Sequence, residues 1–422
     1  MEINKASVIG LGYIGLPTAA ALATQKISVL GIDVNKSTVD TINQGKIHIV
    51  EPELDVAVQA AVTRGYLQAS LTPEPADAFL IAVPTPFIDD HEPDLSYIEN
   101  AARSIAPVLK KGDLVILEST SPVGTTEKLS SWLESERSDL TFPHSRGESS
   151  DIRVAHCPER VLPGQIMYEL VHNDRVIGGI TPRCTEAARS LYEKFVRGEC
   201  VETDARTAEM CKLTENAARD VSIAFANELS VICDRTGIDV WELIQLANRH
   251  PRINILQPGP GVGGHCIAVD PWFIISQSRD ATPLMQAARN INDNKPEWVI
   301  QKVNDSVQQI LKGVPGKKVS EITIACFGLT FKADIDDLRE SPAMRIAESL
   351  AASHPGEVLG IEPNISELPD SITTSALKFE STEQALLTAD VYLLLVDHRQ
   401  FRRFNPSRAG KVVVDTRGIW AI

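Results

Sequence analysis

Chemistry is first legible in Gly10-Leu11-Gly12-Tyr13-Ile14-Gly15, a GxGxxG that follows an apolar run at residues 6–9 and opens the helix-like TAAALATQ. A pyrophosphate needs this arrangement. Gly10 allows a tight turn, Gly12 lets backbone N–H groups approach the ligand at a helix N-terminus, and Gly15 lets helix pack on strand. Dinucleotide contacts then fall on Gly10, Gly12, Tyr13, Ile14 and Gly15. A second apolar run, residues 28–32, ends at Asp33, 18 residues after Gly15 and placed to accept hydrogen bonds from an adenosine ribose. An acid there repels a 2′-phosphate, so the cofactor expected is NAD rather than NADP. The other reactive feature is NRHPRINILQPGPGVGGHCIAVDP, whose four prolines and four glycines interrupt a helical pattern. Cys266 follows Gly261, Gly263 and Gly264 in this stretch, where backbone can approach a ligand and a thiolate can act as nucleophile. His265 is adjacent in an extended loop and is expected to point away. A third feature, Gly328-Leu329-Thr330-Phe331-Lys332, follows an apolar run at 322–327; it lacks the three glycines and offers a lysine, which suits a different nucleotide or phosphate held partly by charge.

The elements that must position these residues follow from the hydrophobic pattern. Strands are expected at 79–83, 114–117 and 154–155, alternating with helices at 97–109 and 125–133, and residues 138–151 read as an exposed polar loop. Such alternation predicts an open parallel sheet with helices on both faces, whose ligands lie beyond the C-terminal strand ends, where Thr85 and Thr120 fall. From 203 to 236 a long helix is expected, with Met210, Leu213, Ala217, Val221, Ala224 and Leu229 at helical spacing; Lys212 and Asn216 lie one turn apart on one of its faces. A helix of that length joins domains or pairs subunits. The last third echoes the first: Gly31-Ile32-Asp33-Val34-Asn35 returns as Gly360-Ile361-Glu362-Pro363-Asn364, and residues 76–83 return as 389–396. The fold class expected is α/β, with two Rossmann-like doubly wound domains joined by a long central helix.

Composition narrows the function. The 422 residues suffice for two or three domains, and 43% hydrophobic with 23% charged residues is ordinary for a globular chain. A formal net charge of −15, from 41 Lys+Arg against 56 Asp+Glu, disfavours a nucleic-acid or anionic-membrane partner. The cysteines at 157, 184, 200, 211, 233, 266 and 326 include no Cys-x-x-Cys, which favours neither a disulfide framework nor a metal site, and all but Cys266 read as structural. Residues 6–25 are uncharged, but Gly10, Gly12, Gly15 and Pro17 break them, so a cytoplasmic protein is expected.

Six motifs occur in order over nearly the whole chain: GLGYIGLP with GIDVN, ESTSPVGTTE, CPERVLPG, KLTENAARD, PGPGVGGHCIAVDP and GLTFKADIDDLRESPA. Together they resemble the UDP-glucose/GDP-mannose dehydrogenase family. The resemblance implies oxidation of C6 of a UDP-sugar from alcohol to carboxylate with two NAD⁺ and no release of aldehyde. It implies a homodimer paired along the long helix, and three parts: an NAD-binding domain at 1–200, a central helical and dimerisation domain with the cysteine loop at 201–300, and a UDP-sugar-binding domain at 301–422. Cys266 is then the nucleophile, through a thiohemiacetal and a thioester, while Lys212 and Asn216 stabilise the C6 oxyanion. Asp270 activates water or takes a proton, Glu159 lies near the thioester, and Thr120 holds a water. Arg160, Arg252 from across the dimer, Gly263, Lys332 and Arg417 contact substrate, and Arg339 meets the NAD pyrophosphate. The chain departs from the UDP-glucose branch at Pro163, where that branch has a second glutamate; this puts more weight on Glu159 and Asp270, and the PERVLPG form resembles branches that oxidise 2-acetamido sugars. Two other readings stay open: a two-electron dehydrogenase of the hydroxyacid type, which needs no cysteine, and a non-catalytic nucleotide-sugar sensor on the same fold.

Overall fold

The computed structural model describes residues 3–88, 91–162, 164–264, 266–365, 376–404, 406 and 411–420. Pro163 and His265, both singled out above, lie outside them. Two compact units emerge: residues 1–215 with Trp272–Gln277, and Asn216–Pro271 with Ser278–Ile422.

The first unit holds an eight-stranded sheet in the order β3-β2-β1-β4-β5-β6-β7-β8. Its strands are β1 (Lys5–Ile9), β2 (Ser28–Ile32), β3 (Leu67–Ser70), β4 (Ala78–Ile81), β5 (Leu114–Leu117), β6 (Arg153–His156), β7 (Arg175–Gly179) and β8 (Cys200–Asp204). Every pairing is parallel except β6 with β7. Both faces are covered by helices, so β1, β4 and β5 read as continuous apolar runs rather than alternating ones. β1 pairs with β2 on one side and β4 on the other, which creates the topological switch point beyond its C-terminal end.

In the second unit the order is β11-β10-β9-β12-β13, all parallel: β9 (Ile324–Phe327), β10 (Val358–Ile361), β11 (Leu377–Phe379), β12 (Val391–Leu394) and β13 (Val412–Asp415). β9 has the place of β1, so the internal echo in the sequence is a repeat of topology.

Some expectations change. The 79–83 strand ends at Ile81, because the prolines at 84 and 86 end the ladder. The polar segment 138–151 is not simply an exposed loop: Phe142 is fully buried at the start of a short helix, Pro143–Arg146. The long helix is Ala205–Thr236, since Thr203 and Asp204 belong to β8. Along it Leu213, Ala217 and Ala224 are buried, but Met210, Phe225 and Ile232 are 41%, 51% and 49% exposed. Among the described residues no helix is long and apolar enough to cross a membrane.

Candidate active site

In the first unit the glycine turn is built as its spacing demands. Gly10 has φ +90° and its N–H donates to the Ile32 carbonyl at 2.8 Å; a Cβ there would lie 2.5 Å from the Ala82 carbonyl oxygen. A Cβ on Gly15 would come within 1.8 Å of the Gly10 oxygen, whereas one on Gly12 meets nothing within 4 Å. The helix Gly15–Thr24 begins without a side-chain cap and without an acid in its first turn, so no side chain competes with an anion beside Gly12, Tyr13 and Ile14. Asp33, at the tip of β2, accepts the N–H of Leu11 (3.0 Å) and of Asn35 (2.9 Å) and stays half-buried. Thr85 Oγ1 donates to the Thr120 carbonyl at 2.7 Å, tying the loops after β4 and β5 together. These residues fit NAD. The two glycines separate in their expected effects. Gly15→Ala destabilises the fold by about 1–3 kcal/mol through overpacking. Gly12→Ala unfolds like wild type in urea yet binds NADH on the order of tenfold more weakly, about 1.4 kcal/mol, in a fluorescence titration.

Behind β5 and β6 lies a buried charged cluster that spacing did not reveal. Glu159, 7% exposed, faces the fully buried Arg175 at 2.6 Å, out of hydrogen-bond alignment, and accepts the N–H of Arg160 at 2.8 Å. Tyr192 OH donates to Glu118 at 2.6 Å. Burial and the charge of Glu159 push the Glu118 carboxyl up to about 7. Glu159 is thus fastened in place by its partners. Arg160 pairs with Glu215 at 2.6 Å and donates to the Asp174 carbonyl, so contact with a sugar requires it to exchange these partners. Burial pushes the thiols of Cys157 and Cys326 up to about 12, which makes them poor nucleophiles.

In the second unit, one face of the long helix organises the cysteine loop. Asn216 Nδ2 donates to Asp270 at 2.5 Å, and Asp270 is 3% exposed. One turn on, Asp220 accepts Arg289 (2.6 Å) and Asn292 (2.8 Å) from the helix Pro283–Gly313. Asn292 in turn accepts Asn227 Nδ2 at 2.9 Å, and Asn227 Oδ1 accepts the N–H of Gly259 at 2.9 Å. Asp220, Arg289, Asn292 and Asn227 are all at most 2% exposed. From the other side Arg417, paired with Asp397 at 2.9 Å, donates to the Pro258 carbonyl at 3.2 Å. Gly264, at φ +82°, packs closely under the Phe331 ring, where a Cβ would lie 3.0 Å from the nearest ring carbon, and a Cβ on Gly263 would lie 2.4 Å from the Glu340 carbonyl oxygen. The backbone is therefore clamped on three sides before it reaches Cys266, which is exposed and whose carbonyl accepts the N–H groups of Val269 and Asp270. Lys212 is half-buried and forms no ion pair with a carboxylate among the described residues. Arg252 and Lys332 are exposed, and Arg339 is exposed beside Asp337.

Comparison with known proteins covers the chain in three consecutive parts. The UDP-glucose/GDP-mannose dehydrogenase family matches with its NAD binding domain over residues 4–196, its central domain over 206–294 and its UDP binding domain over 325–422. The chain is 61% identical over 421 residues to the UDP-N-acetyl-D-mannosamine dehydrogenase of Escherichia coli (strain K12), covering 100% of both chains. It is also 61% identical over 422 residues to the NDP-N-acetyl-D-galactosaminuronic acid dehydrogenase of Ralstonia nicotianae, covering 100% of this chain and 97% of that one. Among solved structures, the UDP-D-ManNAc dehydrogenase of Pyrococcus horikoshii superimposes with a TM-score of 0.88 at 37% identity, over 99% of this chain and 96% of that one.

Proposed function

The chain belongs to the UDP-glucose/GDP-mannose dehydrogenase family and is an NAD-dependent nucleotide-sugar dehydrogenase, and from that premise we propose that it oxidises C6 of UDP-N-acetyl-D-mannosamine to the carboxylate without releasing the aldehyde. The observation that carries the substrate is the 61% identity, over its full length, with enzymes named for that sugar. NAD⁺ supplies the hydride acceptor for both oxidations. Lys212 and Asn216 hold the C6 oxygen and stabilise its negative charge as it develops. After the first oxidation Cys266 Sγ bonds to the aldehyde carbon and the carbonyl oxygen takes up a proton. Loss of a hydride from that carbon and of the hydroxyl proton leaves a thioester. Water then attacks, the C–S bond breaks, and carboxylate and thiol are formed. Asp270, positioned by Asn216, takes the proton from water; Thr120 holds that water, and Glu159 braces the site near the thioester.

The remaining roles complete the proposal. Gly263, Arg160, Lys332 and Arg417 contact the UDP-sugar, Arg339 the NAD pyrophosphate, and Arg252 the substrate of a second subunit. A homodimer is supported by Phe225 and Ile232, seven apart on one face of the long helix and both exposed. The division at 1–200, 201–300 and 301–422, a cytoplasmic location, and a uronate product used in surface polysaccharides such as enterobacterial common antigen rest on the motif resemblance. A second reading of the sugar, N-acetyl-D-galactosamine on a nucleoside diphosphate, is favoured by the equal identity of the Ralstonia relative.

The test is the amount of NADH formed per UDP-N-acetyl-D-mannosamine consumed, with NAD⁺ in excess, beside the N-acetylgalactosamine, N-acetylglucosamine and glucose analogues and GDP-mannose. A ratio of two and the highest kcat/KM on the mannosamine sugar are expected. A ratio of one would overturn the thioester route, and equal turnover of UDP-glucose would overturn the acetamido preference.

A further inference from the structure

The two sheets place an acid at the same point for different ends. Gly328, like Gly10, turns at a φ close to +90° and donates to the end of the neighbouring strand, here the Ile361 carbonyl at 2.8 Å. Glu362 follows β10 as Asp33 follows β2: it accepts the N–H of Leu329 (2.8 Å) and of Asn364 (3.1 Å), as Asp33 accepts those of Leu11 and Asn35. There the correspondence stops. Asp33 keeps part of its surface, whereas Glu362 is 3% exposed and is covered by His398, itself fully buried, with Nε2 2.9 Å from the carboxylate. A ribose cannot reach this acid.

What the imidazole does instead follows from its donors. The N–H of Asp334 and the amide nitrogen of Asn364 both lie 2.9 Å from Nδ1, so Nδ1 accepts and Nε2 carries the proton toward Glu362. Burial works to raise the Glu362 carboxyl, but the hydrogen bonds it accepts from His398 and from the Leu329 and Asn364 N–H groups outweigh it and hold the acid below its ordinary value. Thr330 Oγ1 donates to the Lys332 carbonyl at 2.9 Å and lies 3.3 Å from His398 Nε2. Asp334, whose N–H is held on the imidazole, sits at φ +62°, an unfavourable conformation for a non-glycine residue. Lys332 therefore sits between two residues that both contact His398.

We propose that His398 is a positioning residue for the nucleotide of the substrate: seated on the acid that would otherwise bind a ribose, it locks the Thr330–Asp334 turn and so presents Lys332. This rests on the reading of Lys332 as a nucleotide contact. Asparagine places its amide oxygen near the position of Nδ1, and glutamine its amide nitrogen near that of Nε2, so the two substitutions divide the functions of the ring. By calorimetry with UDP, His398→Asn is expected to stay within about threefold of wild type, because Glu362 keeps the Leu329 and Thr330 N–H groups. His398→Gln, which leaves the Asp334 N–H without its acceptor, is expected to lose about tenfold, with NADH affinity unchanged in both. Thr330→Val, nearly isosteric, removes the other anchor and is expected to weaken UDP severalfold, which keeps the test open should a His398 variant fail to fold. Unchanged UDP affinity in His398→Gln or in Thr330→Val, or a greater loss in His398→Asn than in His398→Gln, would overturn the inference alone. Wild-type protein that bound no UDP would overturn the nucleotide reading itself.

Discussion

Cys266→Ser protein, given NAD⁺ and UDP-N-acetyl-D-mannosamine, is expected to form uronate at least ~10³-fold more slowly than wild type while binding both ligands normally. The loop is set by backbone contacts that do not involve the thiol: Asn227 on Gly259, Arg417 on Pro258, and Phe331 against Gly264. Cys266 is exposed, so exchange of sulfur for oxygen costs the core nothing. The loss then falls on chemistry, because a serine hydroxyl is a far weaker nucleophile toward the aldehyde and an oxygen ester a poorer acyl donor to water than a thioester. Uronate formation followed by chromatography, with UDP affinity measured in parallel, checks this. Turnover within tenfold of wild type would remove the covalent step from the mechanism.

How far such a site can be read from a linear sequence depends on how local its parts are. Gly10, Gly12, Gly15 and Asp33 lie within one β-α-β unit, and the space around Gly10 and Gly15 explains their type, while Gly12 faces the open space a ligand would use. The echo of 31–35 in 360–364 was equally legible, because topology repeats along with residues. Arg175 was not, since it reaches Glu159 only because β7 runs antiparallel to β6. Nor was Tyr192, which meets Glu118 across 74 positions. His398 looks like any histidine after a strand until the burial of Glu362 is known. The expected stripe on the long helix also came out divided: Leu213 and Ala217 face the core, but Asn216, Asp220 and Asn227 carry the polar relay. Helical periodicity reports which side is apolar, and it does not report that buried polar groups have found each other.

That relay gives the largest expected effect on stability. Asp220 and Arg289 are a buried pair at 2.6 Å, with side chains 1% and 2% exposed, and breaking it by Arg289→Met leaves a carboxylate without its counter-charge. The expected cost is about 3–5 kcal/mol at neutral pH, read from urea unfolding. Burial already holds the Asp220 carboxyl above its ordinary value even with Arg289 beside it. A group raised in the folded state binds its proton more tightly there than when unfolded, so its contribution to stability falls as pH rises from the unfolded value through the folded one. Without Arg289 the folded value climbs further and that window widens upward. The deficit of Arg289→Met relative to wild type should therefore be largest near neutrality and shrink as pH falls. A deficit independent of pH would mean that lost packing, not the stranded charge, is the cause. Protonation changes what Asp220 offers Asn292, and through Asn227 the Gly259 N–H, so the surviving folded fraction should also lose turnover while its NADH affinity stays at the wild-type level.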